Sequence, residues 1–600
     1  MSAYDNPRVL GRPRLSFANE AEVDTFVATL ERFERGELDA EEWRKYRLVH
    51  GVYDQRQDGV SMVRVKIPQG ILSGPQLRAV AETARRFSRG FGHITTRQNV
   101  QLHFVKPSDY DAALHGLAQA GLTTREACGN SVRNISACPF AGVSADEPFD
   151  LTPYADALTR HLLRHELSAI LPRKFKIAWE GCSDDHAGLA IHDIGFQARV
   201  RGSNGSSERG FRVTAGGGTS TLCRSGWLLD EFLPAADILV LAEAVLHVYQ
   251  RLGDYKHRQR NRMKFLIGAL GFERWRDEVH AELARLKDSG PAQLPFDANQ
   301  APEEAAPGWE RPAPPTPAQI DELMRTDELR GPGITPQVSV ARDWARWSRT
   351  NLRPQRQAGF STATITVPLG DLTAAQMEII AALCEAHGDS AVRATSEQNL
   401  VLRWVPDAEA PRLYELLAAA GLGLPDAGSL ADVVSCPGAE SCRLAVTHSR
   451  GLGRMLGDYL RARPDLVDAA PDASIKISGC PNGCSRHHIA TIGFQGSIRK
   501  LNDKAVPQYF VLVGGGIRSG SADFGRIVAK VPARRMQQVV ARLIEHYQRE
   551  KTPGETTTAF LARLTREQAH ALLADLEQLD TIEAADFVDL GEAAELTAGQ

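Results

Sequence analysis

The chain repeats itself once, at an offset of 300 residues. Residues 55–105 open as QRQDGVSMVRVKIPQG, and residues 355–405 open as QRQAGFSTATITVPLG. The match runs without a gap to TTRQNVQLHFV against TSEQNLVLRWV. Gln55, Arg56, Gln57, Gly59, Pro68, Gly70, Gln98, Asn99 and Val105 each recur 300 positions later. Further on, IGFQ at Ile194–Gln197 returns at Ile492–Gln495, and Gly216–Gly218 returns at Gly514–Gly516. A period this long is not that of a solenoid. Two long copies point instead to a pseudo-twofold molecule with a site between its halves.

Within each copy the pattern reads strand, helix, strand. In Ser61–Ile67, Val63, Val65 and Ile67 face one way and Met62, Arg64 and Lys66 the other. Pro75–Phe87 has helical spacing, with Leu77, Val80, Ala81 and Ala84 on one face. Thr95–Val105 alternates again, with Val100, Leu102 and Phe104 apolar; the second copy keeps Leu400, Leu402 and Trp404. The apolar face is retained and the polar face diverges. The fold class is therefore α+β, a duplicated unit.

The expected division is a charged helical extension over residues 1–50, a first repeat over 51–125, and a larger domain over 126–287. A Pro-, Ala- and Glu-rich linker over 288–340 is expected to wrap the surface. The second repeat follows over 341–425, its larger partner over 426–555, and an acidic helical tail over 556–600 that ends loosely.

Cysteines carry the clearest chemistry. Cys436 and Cys442 lie in SCPGAESC, and Cys480 and Cys484 lie in GCPNGC, with gaps of five, thirty-seven and three residues. Four thiolates are the complement of one iron–sulfur cube. Structural zinc sites usually show two-residue gaps inside each pair, so gaps of five and three fit zinc poorly without removing it. Cys128, Cys138, Cys182, Cys223 and Cys384 are scattered singly. Their odd total and the polar N-terminus, interrupted by Asp5 and Arg8, point to a cytoplasmic protein with reduced thiols. Pro437, Gly438, Gly479, Pro481, Asn482 and Gly483 break regular structure beside the thiols and free backbone N–H groups to face sulfur.

The first half carries cations where the second has lost them. Arg64 aligns with Thr364, and Arg97 with Glu397. Lys174 and Lys176 share one face of LPRKFKIAW, opposite Phe175 and Ile177. Arg133 sits in the turn-rich CGNSVRN, and HRQRNRMK at His257–Lys264 adds a basic cluster. A solvated strand face is the plain alternative for the lysines. Divergence between otherwise similar halves favours a site: one half supplies cations, the other thiolates. Such cations suit a small oxyanion and a carboxylate-rich cofactor. A net charge of -4 gives no basic character for nucleic acid. The longest apolar run, Ile238–Val248, is broken by Glu243 and is too short to span a membrane.

Taken together, SCPGAESC with GCPNGC, the repeat with TTRQN, and LPRKFK resemble the sirohaem-dependent sulfite and nitrite reductases over roughly residues 50–560. The resemblance implies two ferredoxin-like half-domains, two sirohaem- and cluster-binding α+β domains, one 4Fe–4S cube and one sirohaem. It implies that Cys436, Cys442, Cys480 and Cys484 ligate the cube and that Cys484 also bridges to the haem iron. It places substrate-binding roles on Arg64, Arg133, Lys174 and Lys176. It places sirohaem contacts on Thr95, Arg97 and Gln101, read as one strand face with Asn99 and His103, and on Arg173, Arg262, Lys264 and Asn482.

The implied reaction is six-electron reduction of an oxyanion. Sulfite-type members tend to follow GCPNGC with a small residue and Arg, and here Ser485 and Arg486 follow. Sulfite is thus the expected substrate and nitrite the alternative. These 600 residues contain no flavin or NADPH domain, so a separate ferredoxin or flavoprotein is expected to donate electrons. A non-catalytic iron–sulfur protein would need the cysteines and not the cations. The internal symmetry favours a monomer.

Overall fold

The computed structural model describes residues 16–202, 207–257, 259–329, 342–501, 503–518, 520–580 and 582–592. The two repeats form two five-stranded antiparallel sheets that exchange a strand. The first sheet runs Val52–Asp54, Ser61–Val65, Val100–Val105, Phe91–Ile94 and then Asp371–Thr373 from the second repeat. The second runs Leu352–Pro354, Phe360–Ile365, Leu400–Pro406, Ala391–Ala394 and then Ile71–Ser73 from the first. Leu72 pairs with Val392, and Leu372 pairs with Gly92. Reciprocal exchange fuses the repeats into one apolar core.

Local chemistry explains the crossing. Gln69 and Leu369 both take φ 56°, inside Pro-x-Gly corners that turn the chain out of its own sheet. Ser73 and Thr373 then open helices Gly74–Phe87 and Ala374–His387 with matching capping boxes to Gln76 and Gln376. The two helices lie together, tied by Arg78 to Glu385 and Arg85 to Glu378, each at 2.7 Å.

The strand expected over Thr95–Val105 is broken. Phe91–Ile94 ends before Thr95, and pairing resumes at Val100. Between them Thr95 Oγ1 accepts the N–H groups of Arg97 (3.3 Å) and Asn99 (3.1 Å), which favours a turn over a strand. Gln98 is left-handed there, as is Gln398. Thr95, Arg97 and Gln101 therefore do not share a strand face.

The two larger domains repeat each other at an offset of 298. One sheet runs Ser136–Ala137, Ile177–Glu180, Ile194–Arg201, Glu208–Ala215 and Trp227–Pro234. Its mate runs Val434–Ser435, Ile475–Ser478, Ile492–Leu501, Lys504–Val513 and Arg526–Pro532. In each, the first two pairings are parallel and the rest antiparallel. Helices Ile238–Leu252 and Met536–Glu550 cover them.

One expectation about the flanking segments is corrected. The linker does not merely wrap the surface. Ala301 joins a core, Ile320 of helix Pro317–Arg325 joins another, and buried Glu304 pairs with Arg403 at 2.5 Å. The tail, expected to be helical and loose only near its last residue, packs into the core. Phe560, Leu561, Leu564, Ala569, Leu573 and Leu576 lie in the core of the second larger domain, where the first has Met263, Ile267 and Trp275. The expected loose end falls on residues 593–600, outside the described residues, as does the start of the N-terminal extension. Helices Glu20–Glu34 and Ala40–Val49 of that extension bury Phe26 and Trp43 against the fused core.

Candidate active site

The repeated QRQ segment explains how the halves meet. Arg56 donates its N–H to Ser441 O (2.8 Å) and Nη2 to Ala445 O (2.6 Å), and Gln57 donates Nε2 to Glu440 O (2.8 Å). The first repeat thus pins the loop carrying Cys442. In mirror fashion Arg356 donates to Val143 O (2.8 Å) and Gln357 to Gly142 O (3.2 Å).

In the cysteine loops, the Gly479 N–H lies 3.4 Å from Cys436 Sγ, with Ser449 Oγ at 3.3 Å. Gly438 and Gly483 are left-handed (φ +65° and +63°), and a Cβ on Gly438 would stand 2.5 Å from Ser449 Oγ. Burial, then the Cys484 thiol, pushes Cys436 up to about 12. Burial likewise pushes Cys480 up to about 11 and raises Cys442. Asn482, exposed at the loop tip, hydrogen-bonds toward Cys480 and works against that rise. Burial thus holds Cys436, Cys442 and Cys480 toward the neutral thiol, and a bound metal would reverse that. No three of the four close to within 4.8 Å of one another, as two other groups among the described residues do.

Cys484 is the exposed member, and it opens on the cations. Its carbonyl is held by Thr96 Oγ1 of the first repeat at 2.7 Å. Arg486, left-handed at φ 65°, donates Nη2 back to Thr96 O at 2.7 Å. Sequence reasoning missed Thr96, which lay inside the conspicuous TTRQN. It used Arg486 only as a family marker, whereas the side chain is a buried brace between halves.

The four candidate substrate cations come together. Arg133 donates to Gly129 O (2.8 and 3.1 Å) and Ala127 O (3.2 Å), and Arg64 also reaches Ala127 O (3.3 Å). Gln101 stands opposite Arg64 in the sheet, and its side-chain oxygen accepts from Arg64 Nε at 3.1 Å. Gln101 thus orients Arg64. The Arg133 N–H bonds Phe175 O at 2.8 Å, which lays Arg133 beside Lys174 and Lys176. Both lysines keep some exposure although protein surrounds them, the mark of a deep cleft. Burial, then Arg133 and Arg262, lowers Lys174 to about 7, while Cys484 works against that fall. Burial, then Arg97, Arg262 and Lys174, holds Lys176 well below the usual lysine range. Arg133 is lowered to about 10, chiefly by burial.

The other candidates divide. Arg97 is surrounded by cations, held down by burial, then by Arg486 and Arg133; it donates to His192 Nε2 (2.8 Å) and to Asn134 O. Arg173 acts electrostatically on Arg133 and Lys174. Arg262 pairs with buried Asp193 at 2.9 Å, and Asp193 also accepts the Lys176 N–H at 2.9 Å. Lys264 donates to the carbonyls of Thr219 (3.1 Å), Thr221 (2.9 Å) and Leu222 (2.9 Å), so it holds a loop. Thr95 is occupied in its turn. Asp193 thus faces Arg97, Arg262 and Lys176, while Arg133 and Lys174 lie among further cations. Such an unbalanced cleft costs free energy until anions enter it. A carboxylate-rich macrocycle and an oxyanion fit that need.

Fold and site together define a class: a duplicated α+β chain with four cysteines from one half beside a group of arginines and lysines from the other. Residues 128–287 and 427–578 match the nitrite and sulphite reductase 4Fe-4S domain. Residues 53–120 and 353–420 match the nitrite/sulfite reductase ferredoxin-like half domain. The chain belongs to the nitrite and sulfite reductase family, oxidoreductases that use sirohaem and a 4Fe–4S cluster. It is similar to the assimilatory ferredoxin-dependent nitrite reductase of Haloferax mediterranei, 28% identical over 523 residues that cover 84% of this chain and 83% of the relative. It is also similar to a ferredoxin sulfite reductase of Mycolicibacterium paratuberculosis, 27% identical over 86% of this chain and 88% of the relative. The solved structure of the Mycobacterium tuberculosis NirA protein shares the fold, with TM-score 0.72 and 24% identity over 90% of this chain and 95% of that one. Among the described residues no helix is long and apolar enough to cross a membrane.

Proposed function

We propose that this protein reduces sulfite to sulfide, taking six electrons from a separate ferredoxin. One observation carries the reading: Arg64, Arg133, Lys174 and Lys176 gather beside Cys484, where the cations press on one another. Four cations suit a three-oxygen dianion better than a two-oxygen monoanion. When bound, the sirohaem supplies the iron that takes the substrate, and the cube supplies its electrons. Cys436, Cys442, Cys480 and Cys484 would hold the cube, and Arg97, Arg173 and Arg262 would face sirohaem carboxylates.

The residues' own work follows from their geometry. Arg64 and Arg133, fixed by carbonyls and by Gln101, present donors without reorganising. Lys174, lowered to about 7, is poised to give up a proton near neutral pH, and each departing oxygen needs two to leave as water. Lys176, two residues on and just ahead of the strand Ile177–Glu180, offsets charge at the same oxygens. Nitrite is the second reading, supported by the nitrite reductase similarity above. Lys176→Ala tests the cation assignment: turnover should fall while sirohaem stays bound. Full turnover in Lys176→Ala would overturn it.

A further inference from the structure

The structure assigns a second metal site to the first half: Cys138, Cys182, His186 and Glu180 form a closed site for one divalent ion of the zinc class. Each of three residues stands at the repeat mate of a cluster cysteine, 298 positions earlier: Cys138 for Cys436, Cys182 for Cys480 and His186 for Cys484. Ser144 occupies the place of Cys442. The backbones agree as well. Thr96 Oγ1 binds the Cys484 carbonyl at 2.7 Å, and Ser396 Oγ binds the His186 carbonyl at 2.6 Å. The duplication therefore kept the pocket and changed its ligands.

Those ligands now converge on one point. Cys138 Sγ lies 3.4 Å from Cys182 Sγ and 3.6 Å from His186 Nδ1. Glu180 Oε2 lies 3.8 Å from the same nitrogen, and all four ligand atoms fall within 4.8 Å of one another. A tetrahedral zinc, with bonds of about 2.3 Å to sulfur and about 2.0 Å to nitrogen, holds two sulfurs about 3.8 Å apart and sulfur from nitrogen about 3.5 Å apart. Only small shifts are needed. Two thiolates, one imidazole and one carboxylate suit zinc over hard cations. The spacing is too tight for a cube, so the site takes a single ion.

The surroundings are built to hold it. Glu180 is buried and fixed by the N–H groups of Gly181 (3.0 Å), Cys182 (2.9 Å) and Ala187 (3.1 Å). The His186 ring packs edge-on to Phe140 at 5.0 Å. Arg353 Nη1 stands 3.4 Å from His186 Nε2; with Nδ1 on the metal that nitrogen carries a proton, and the exposed Arg353 side chain turns away. No open position remains, so the ion is structural. It would lock the Gly181–His186 loop, whose neighbour Ala187 receives Arg486 Nη1 at 3.4 Å beside the cluster.

The test uses the holoenzyme produced with added zinc and dialysed against a mild chelator. Elemental analysis should find one zinc per chain in addition to iron. X-ray absorption at the zinc edge should show two sulfur ligands. Cys182→Ser and His186→Ala should each lower retained zinc about tenfold or more, with sirohaem and cluster absorbance kept. Should either variant fail to load its haem, the wild-type chain still decides. Strong chelation must speed maleimide labelling of Cys138 and Cys182 and leave Cys223 unchanged. Wild-type protein without zinc, variants that retain it, or a Cys138–Cys182 disulfide in the intact mass would each overturn the proposal.

Discussion

Arg133→Met separates a preorganised oxyanion cleft from a merely basic surface. The Arg133 guanidinium is fixed by three bonds, to Gly129 O at 2.8 and 3.1 Å and to Ala127 O at 3.2 Å. An anion about 4 Å from it gains about 4 kcal/mol at an effective dielectric of about 20. Removing one preorganised donor typically costs about 3 kcal/mol, roughly a hundredfold in rate. Hence kcat/KM should fall about a hundredfold. A second effect has a definite sign. Burial and then Arg133 depress Lys174 to about 7. The working form is the ammonium, lost as pH rises through that value. Removing Arg133 raises the Lys174 pKa, so the alkaline limb of kcat/KM should move to higher pH. The assay is steady-state reduction with a dye donor from pH 6 to 10, with sirohaem absorbance as the folding control. Full activity with an unmoved alkaline limb would refute the reasoning.

Three further outcomes follow from particular contacts. Cys484→Ser should lose cluster and haem bands together, and an unaltered visible spectrum would refute the bridge. Phe560→Ala should destabilise the second larger domain by about 3–5 kcal/mol in thermal or denaturant unfolding, because Phe560 is buried there; a surface-like loss below about 0.5 kcal/mol would contradict its place in the core. Burial, then Asp150, pushes Glu147 up to about 10, against an ordinary value of 4.5. The folded state therefore holds a proton that the unfolded state releases, so Glu147 erodes stability as pH climbs between those values. Glu147→Gln should flatten that slope, and an unchanged slope would count against a buried carboxyl.

The duplication and the family were legible in the sequence because each rests on local identity: a spacing or a repeated string. Partner exchange was not legible. Ile71–Ser73 reads as the end of its own unit, and only a left-handed Gln69 sends it into the other sheet. The TTRQN segment misled for a related reason. Its alternation looks like strand, yet the Thr95 hydroxyl captures two backbone donors and makes a turn. Lys264 showed its charge in the sequence but not the three carbonyls that occupy it. Cys138 and Cys182 looked solitary because the strict offset of 300 slips to 298 in the larger domains. At that offset they stand on the cluster positions.

The central claim is that cations of one half and thiolates of the other make a single oxyanion-reducing site. Steady-state reduction by haem-loaded protein, comparing kcat/KM for sulfite and nitrite with a dye donor, measures it directly. The account predicts donor oxidation matched to sulfide formation, with sulfite favoured over nitrite. A preference for nitrite would overturn the substrate, and haem-loaded protein that reduces neither would contradict the site itself.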